Sequence, residues 1–143
     1  MIKATLSHQA DFLSFQPIES PVDISSISMQ APLKLTRTFL VDGIPRAMAG
    51  VKELWPGVGD AWIWFDDTIL ESHRFSFCRI LKYEILPLSE DHGFRRLSAP
   101  VDVNNDKGIR FVEWLGFHRE FDHPLQHYGL NGKGDYWPYV RFQ

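Results

Sequence analysis

The chain has 143 residues, 44% hydrophobic and 14% aromatic, which is enough to bury one substantial core and too little for two ordinary domains. Charged residues make up 23%, and 10 Gly and 9 Pro are spread along the chain, which excludes a disordered chain, a collagen-like repeat and a coiled coil. The formal net charge of -3 lacks the basic footprint of a nucleic-acid binder, so no nucleic-acid partner is expected. The single cysteine, Cys78, excludes an intramolecular disulfide and fits a reducing compartment.

The N-terminal stretch interrupts its apolar positions with Lys3, His8 and Asp11, unlike the continuous apolar region of a signal peptide. No segment approaches the roughly 18 apolar residues of a membrane span. A soluble chain in a cytoplasm, with no membrane partner, is the expectation. Pro17, Pro21 and Pro32 bracket a segment in which Ile24, Ile27 and Gln30 share helical spacing, and one short helix is predicted there.

From Leu35 the chain turns β-branched and aromatic, then meets Asp42-Gly43, the dipeptide suited to a tight hairpin. A strand pair is predicted across it, returning over about 46–52. After Pro56-Gly57, Asp60-Ala-Trp-Ile-Trp-Phe65 reads as a third strand. Phe77, Cys78, Leu81 and Ile85 then recur at one-turn spacing, with Arg74, Arg79, Lys82 and Glu84 mostly opposite, so a long helix is predicted over 72–86. Pro87 is expected to end or kink it. Leu97, Ala99, Val101 and Val103 alternate with polar residues and Pro100, a strand with a bulge or an unpaired stretch at the proline.

Asn105 or Asp106 can cap a second helix in which Ile109, Val112 and Leu115 line one face, and Gly116 can stop it. Turn residues at Asn131-Gly132 and Gly134 precede Tyr136 to Phe142, where a last pair of strands is predicted.

This order of elements, with the segment Val101-Asp-Val-Asn-Asn-Asp-Lys-Gly-Ile-Arg-Phe-Val-Glu-Trp-Leu-Gly-Phe117, resembles the GNAT N-acetyltransferase superfamily. Asn105 stands at the family's asparagine, Gly108 at its small residue, Ile109 in its aliphatic slot and Gly116-Phe117 at its closing pair. The run from Ile44 to Phe142 is also similar to the small GNAT-like proteins of tailed bacteriophages, the T7-type internal virion protein family. The resemblance implies an α/β single domain over 1–143, a mixed, mostly antiparallel twisted sheet flanked by helices. It implies an acetyl-CoA site bordered by Trp64, Phe65, Arg74 and Asn105. It also implies that the third strand parts from the strand over 97–103, leaving backbone amides where acyl-pantetheine pairs in the family. Trp62, Trp64 and Trp114 are expected to be near enough to plug that gap.

Two departures bear on activity. The family seats the coenzyme's pyrophosphate on a glycine turn before the central helix, where backbone N–H groups face the anion. Here no glycine lies between Gly59 and Gly93, and Asp66, Asp67 and Glu71 occupy the region; like charges about 5 Å apart at an effective dielectric of ~20 repel by about 3 kcal/mol. Many members protonate the leaving thiolate with a tyrosine seven residues after the asparagine, and that position is Val112. The expectation is a diverged protein of phage type without ordinary acetyl transfer. It would act through contacts with a virion or host protein, or with itself, in virion assembly or as a minor component, in the virion or the host cytoplasm. The alternative is an N-acyltransferase with a shifted site, for which Asp66, Asp67 and Tyr128 are the candidate catalytic residues.

His118, His123 and His127 lie close in sequence to Glu120 and Asp122, but their spacing fits no helical two-histidine signature. Solvated residues are the favoured reading, and no metal is expected. Cys78 on an apolar helix face reads as an inert core thiol.

Overall fold

A computed structural model describes residues 2–6 and 35–143. The short helix expected near Ile24 and Ile27 lies outside the described residues. Strand β1 (Ile2–Leu6) pairs with β2 (Thr36–Val41), which returns through Asp42 and Gly43, at φ 51° and 81°, into β3 (Ile44–Trp55). Positive φ at both central residues is what a two-residue hairpin turn needs to follow the right-handed strand twist. The returning strand is longer than the sequence pattern suggested. It runs on to Trp55 because Pro56 and Gly57 close a second hairpin into β4 (Val58–Phe65).

After β4 the chain is helical in pieces: α1 (Asp67–Ser72), α2 (Arg74–Ile80), a π-helical turn (Leu81–Ile85) and α3 (Leu86–Asp91). The predicted single helix over 72–86 is corrected at both ends. His73 leaves helical geometry at φ -132° while its N–H still bonds Ile69 O at 2.9 Å, which separates α1 from α2. Pro87 does not end the run; it sits in the first turn of α3. A proline lacks an N–H and clashes with the carbonyl four residues back, and the wider π turn just before it removes both conflicts.

Strand β5 (Arg96–Ser98) and the two-residue β6 (Val101–Asp102) are separated at Ala99 and Pro100, the interruption that Pro100 predicted. Helix α4 (Asp106–Trp114) follows, then β7 (His118–Arg119), β8 (Tyr136–Trp137) and β9 (Tyr139–Phe142). Among the described residues the main sheet has the order β1-β2-β3-β4-β5-β9-β7, parallel only between β4 and β5, and β6 pairs with β8 separately. The two C-terminal strands therefore pair with others rather than with each other. No described helix is long and apolar enough to cross a membrane.

The core lies where one face of the sheet meets the helices. Side chains alternate along a strand, so Ala61, Ile63 and Phe65 of β4 face the helices and pack on the cluster formed by Phe39, Ala49, Ile69, Phe77 and Leu97. Phe77 stands edge-on to Phe39 at 4.7 Å between ring centroids. Lys82 joins the two helical regions by donating to the Trp114 carbonyl at 2.9 Å at the end of α4, where backbone carbonyls lack helical partners and a cation is favoured.

The end of α4 is set by local chemistry. Gly116 adopts φ +95°, its N–H bonds Glu113 O, and the Phe117 N–H bonds Val112 O, both at 3.0 Å. This is the paired hydrogen-bond pattern of a left-handed helix stop. Gly116→Val is expected to cost about 1 kcal/mol or more, because a β-branched residue tolerates positive φ poorly. A urea midpoint unchanged by the substitution would contradict this.

Candidate functional site

Strands β4 and β5 pair only over Val58↔Arg96, Gly59↔Leu97 and Asp60↔Ser98, while β4 continues to Phe65. Two features part them. Ala99 N–H bonds Tyr139 O at 2.9 Å, drawing the chain toward β9, and Pro100 has no N–H to offer β4. Beyond Asp60 no described strand pairs with this edge of β4, so the two strands part with Asp60 at the apex.

Asp60, Trp62 and Trp64 share the face of β4 opposite the helices. Trp64 is buried and the two indoles lie 5.1 Å apart. Asp60 is partly buried, and its carboxylate has no hydrogen-bond partner among the described residues. Burial raises its pKa, and the charge of Lys52, its cross-strand neighbour, offsets part of that rise.

The segment between β7 and β8 sets a phenol, Tyr128, within electrostatic reach of Asp60. Leu125 and Tyr136 exchange backbone hydrogen bonds at 2.7 and 3.0 Å, and Tyr128 N–H bonds Gly134 O at 3.0 Å. His127 turns the chain at φ 53°, with its N–H on Asp135 Oδ1 at 3.1 Å and its Nδ1 3.2 Å from Gly132 O. The Tyr128 and Tyr136 rings lie 5.5 Å apart. Burial raises the Tyr128 pKa, and the charges of Asp60 and then Tyr136 raise it further. Tyr128, about half exposed, thus keeps its proton at neutral pH within electrostatic reach of Asp60, whose carboxylate can accept a proton.

The other sequence candidates are placed differently. Asp66 follows β4 in extended geometry at φ -101°; its N–H bonds Arg46 O at 2.9 Å and its Oδ2 accepts from Arg46 Nη1 at 3.1 Å. The repulsion expected among carboxylates here is thereby eased by a cation the sequence reading did not pair. Asp66 Oδ1 and Arg46 Nε are buried without a hydrogen-bond partner among the described residues. Asp67 opens α1. Phe65 faces the core, 6.4 Å from Phe77. Arg74 is exposed just past the helix break, its guanidinium 5.2 Å from the Phe75 ring centroid.

Asn105 caps α4 by accepting from Gly108 N–H at 2.9 Å. A Cβ at position 108 would stand 2.5 Å from Asn105 Nδ2, so the asparagine and glycine serve one cap. The expected tryptophan plug is corrected in one member: Trp114 is partly exposed at the end of α4, with Lys82 Nζ 4.3 Å from its ring.

The histidines serve separate local contacts. His123 stacks on Phe121 at 5.6 Å, His118 lies 5.4 Å from Phe142, and His127 holds its own turn. Among the described residues no three metal-ligating side chains converge. Cys78 is partly buried, and that burial raises its thiol pKa, opposed by the charge of Arg74.

Sequence reasoning missed Asp60, which it took as the start of a strand. The available signal was a carboxylate in register with Trp62 and Trp64 on an otherwise apolar strand.

No protein-family model matches this sequence, and no curated protein does. Solved structures do match. Ard1 from Thermoplasma volcanium superposes with a TM-score of 0.80 at 14% identity, covering 99% of this chain and 97% of that one. The ribosomal-protein-S18-alanine N-acetyltransferase from Escherichia coli gives 0.73 at 17%, covering 98% and 92%. This chain has the GNAT fold.

A further structure of this fold, yncA from Salmonella typhimurium, was solved with its cofactor acetyl-CoA, and matches with a TM-score of 0.69 at 14% identity over 99% of this chain and 93% of that one. In the present chain the junction from β4 to α1 offers no glycine turn to the pyrophosphate of such a cofactor, and the longer helical run begins only after His73, at Arg74, beside a cavity lined by Glu71 to Ser76. The Asp66 N–H is engaged by Arg46 O, the residues there include carboxylates rather than glycine, and α1 has only six residues. An anion seat needs several free N–H groups at the start of a sustained helix.

Proposed function

We propose that this protein is a diverged member of the GNAT fold that has left ordinary acetyl-CoA-dependent transfer and acts through protein contacts. The observation that carries this reading is the β4–α1 junction, where Arg46 holds Asp66 in place of a glycine turn. On the resemblance of 44–142 to the phage-type internal virion proteins read from the sequence, its role is virion assembly or host interaction, with a virion or host protein, or a second copy of this chain, as partner. The site of action is then the virion or the host cytoplasm.

A second reading, acyl transfer at a shifted site, is supported by the apex at Asp60, with Tyr128 in electrostatic reach. There an amine nucleophile would lose its proton to Asp60.

Acetyl-CoA at millimolar concentration is expected to leave the melting temperature almost unchanged. A ligand at 100 times its dissociation constant would add about 2.7 kcal/mol, a shift of several degrees in a domain of this size. A saturable shift of that kind would overturn the first reading.

A further inference from the structure

The helical run that follows β4 lies beside the first strand of the sheet. Strand β1 ends the main sheet, pairing with β2 along one edge and with no described strand along the other. A groove of about 470 Å³ runs between the helices and β1, lined by Ile2, Ile80, Arg79, Tyr83 and Glu84. Tyr83 is 65% exposed although aromatic. Arg79 and Glu84 are exposed as well, and neither has a hydrogen bond or an ion pair among the described residues.

The charges of this run are sorted by sign. From Arg74 to Asp91 the exposed ones are first Arg74 and Arg79, then Glu84, Glu90 and Asp91. A partner carrying one sign of charge is repelled at one end of such a run. A second copy laid antiparallel meets opposite charge at both ends, the self-complementarity that a twofold interface requires. The free edge of β1 beside the groove is a surface that a partner protects by covering it.

We propose that this groove docks a second copy of the chain, in a twofold dimer where Arg79 of one protomer faces Glu84 of the partner subunit and Tyr83 packs near the axis. This rests on the reading that the protein acts through protein contacts, and it names a second copy as the contact. The axis forms the Arg–Glu pair twice, so each substitution acts twice, and the pairs are weakened by salt.

Sedimentation of the full chain over about 1 to 200 micromolar, at about 50 and 500 millimolar salt, tests this. The expected result is a monomer–dimer equilibrium that weakens at the higher salt. Arg79→Glu and Glu84→Arg should each raise the dissociation constant by about tenfold or more, since each turns two attractive pairs into repulsive ones. The double variant should return to within about threefold of the parent. That return separates a broken contact from a misfolded chain. A chain that stays monomeric throughout overturns the inference and leaves contact with a different protein standing; only the saturable acetyl-CoA shift removes that wider reading. A dimer indifferent to either reversal, or one that the double variant fails to restore, has its interface elsewhere and overturns the inference too.

Discussion

Replacing Phe77 by alanine lowers the free energy of unfolding by about 3–5 kcal/mol, the range for deleting a buried phenyl group and leaving a cavity. Phe77 is 1% exposed, stands edge-on to Phe39 and packs on Phe65. It thus ties α2 to both β2 and β4. Phe75, two residues earlier on the same helix, is 77% exposed, and its replacement by alanine is expected to stay within about 0.5 kcal/mol. Urea midpoints of the two variants, measured side by side, decide whether the helix presents this face to the sheet; comparable losses would mean that it does not. A double-mutant cycle with Phe39→Leu should further show an aromatic coupling of about 0.5–1.5 kcal/mol.

Asp60→Asn separates stability from chemistry. The folded-state pKa of Asp60 is raised by burial, so folding disfavours its charged form. The linked stability is intact below the ordinary carboxylate range, where folded and unfolded chains both carry the proton. It is lost as pH rises through the raised folded pKa. The carboxamide that replaces the carboxyl group cannot ionise, so the variant should be more stable than the parent at pH 7 and no more stable at pH 3. A gain at both pH values, or at neither, would show that burial of this carboxylate costs nothing. If the apex transfers acyl groups, the same substitution should lower the rate by about 10²–10⁴-fold, the usual worth of a positioned base. Gain of stability with loss of rate is the expected mark of a site maintained at the expense of the fold.

Several elements were legible because their causes lie within a few residues. Asp42 and Gly43 supply two adjacent positive φ angles. Asn105 reaches the Gly108 N–H three residues on, and Gly116 and Phe117 return hydrogen bonds to the last turn of α4. In each case residue chemistry and local geometry are nearly the same statement. The helical region after β4 was only partly legible. Apolar spacing identifies the face that carries Phe77, Leu81 and Ile85, but it cannot show that a π turn makes room for Pro87. A proline in the sequence reports a conflict with regular helix, and the resolution depends on what the flanking turns can absorb.

The candidate site divides in the same way. From its sequence alone the chain determined the strand that carries Asp60, Trp62 and Trp64, the cap at Asn105, and the lack of a glycine turn after Phe65. Only the tertiary structure decided that β5 leaves β4 at Asp60, that Arg46 meets Asp66, and that the segment before β8 sets Tyr128 where the charge of Asp60 reaches it. Those placements depend on strand register and on burying one face of the sheet against the helices, and both are set by many distant contacts together. Turns and caps are closed by neighbours in sequence. A carboxylate and a phenol from distant segments fall within electrostatic reach of each other only when the whole sheet has chosen its pairing.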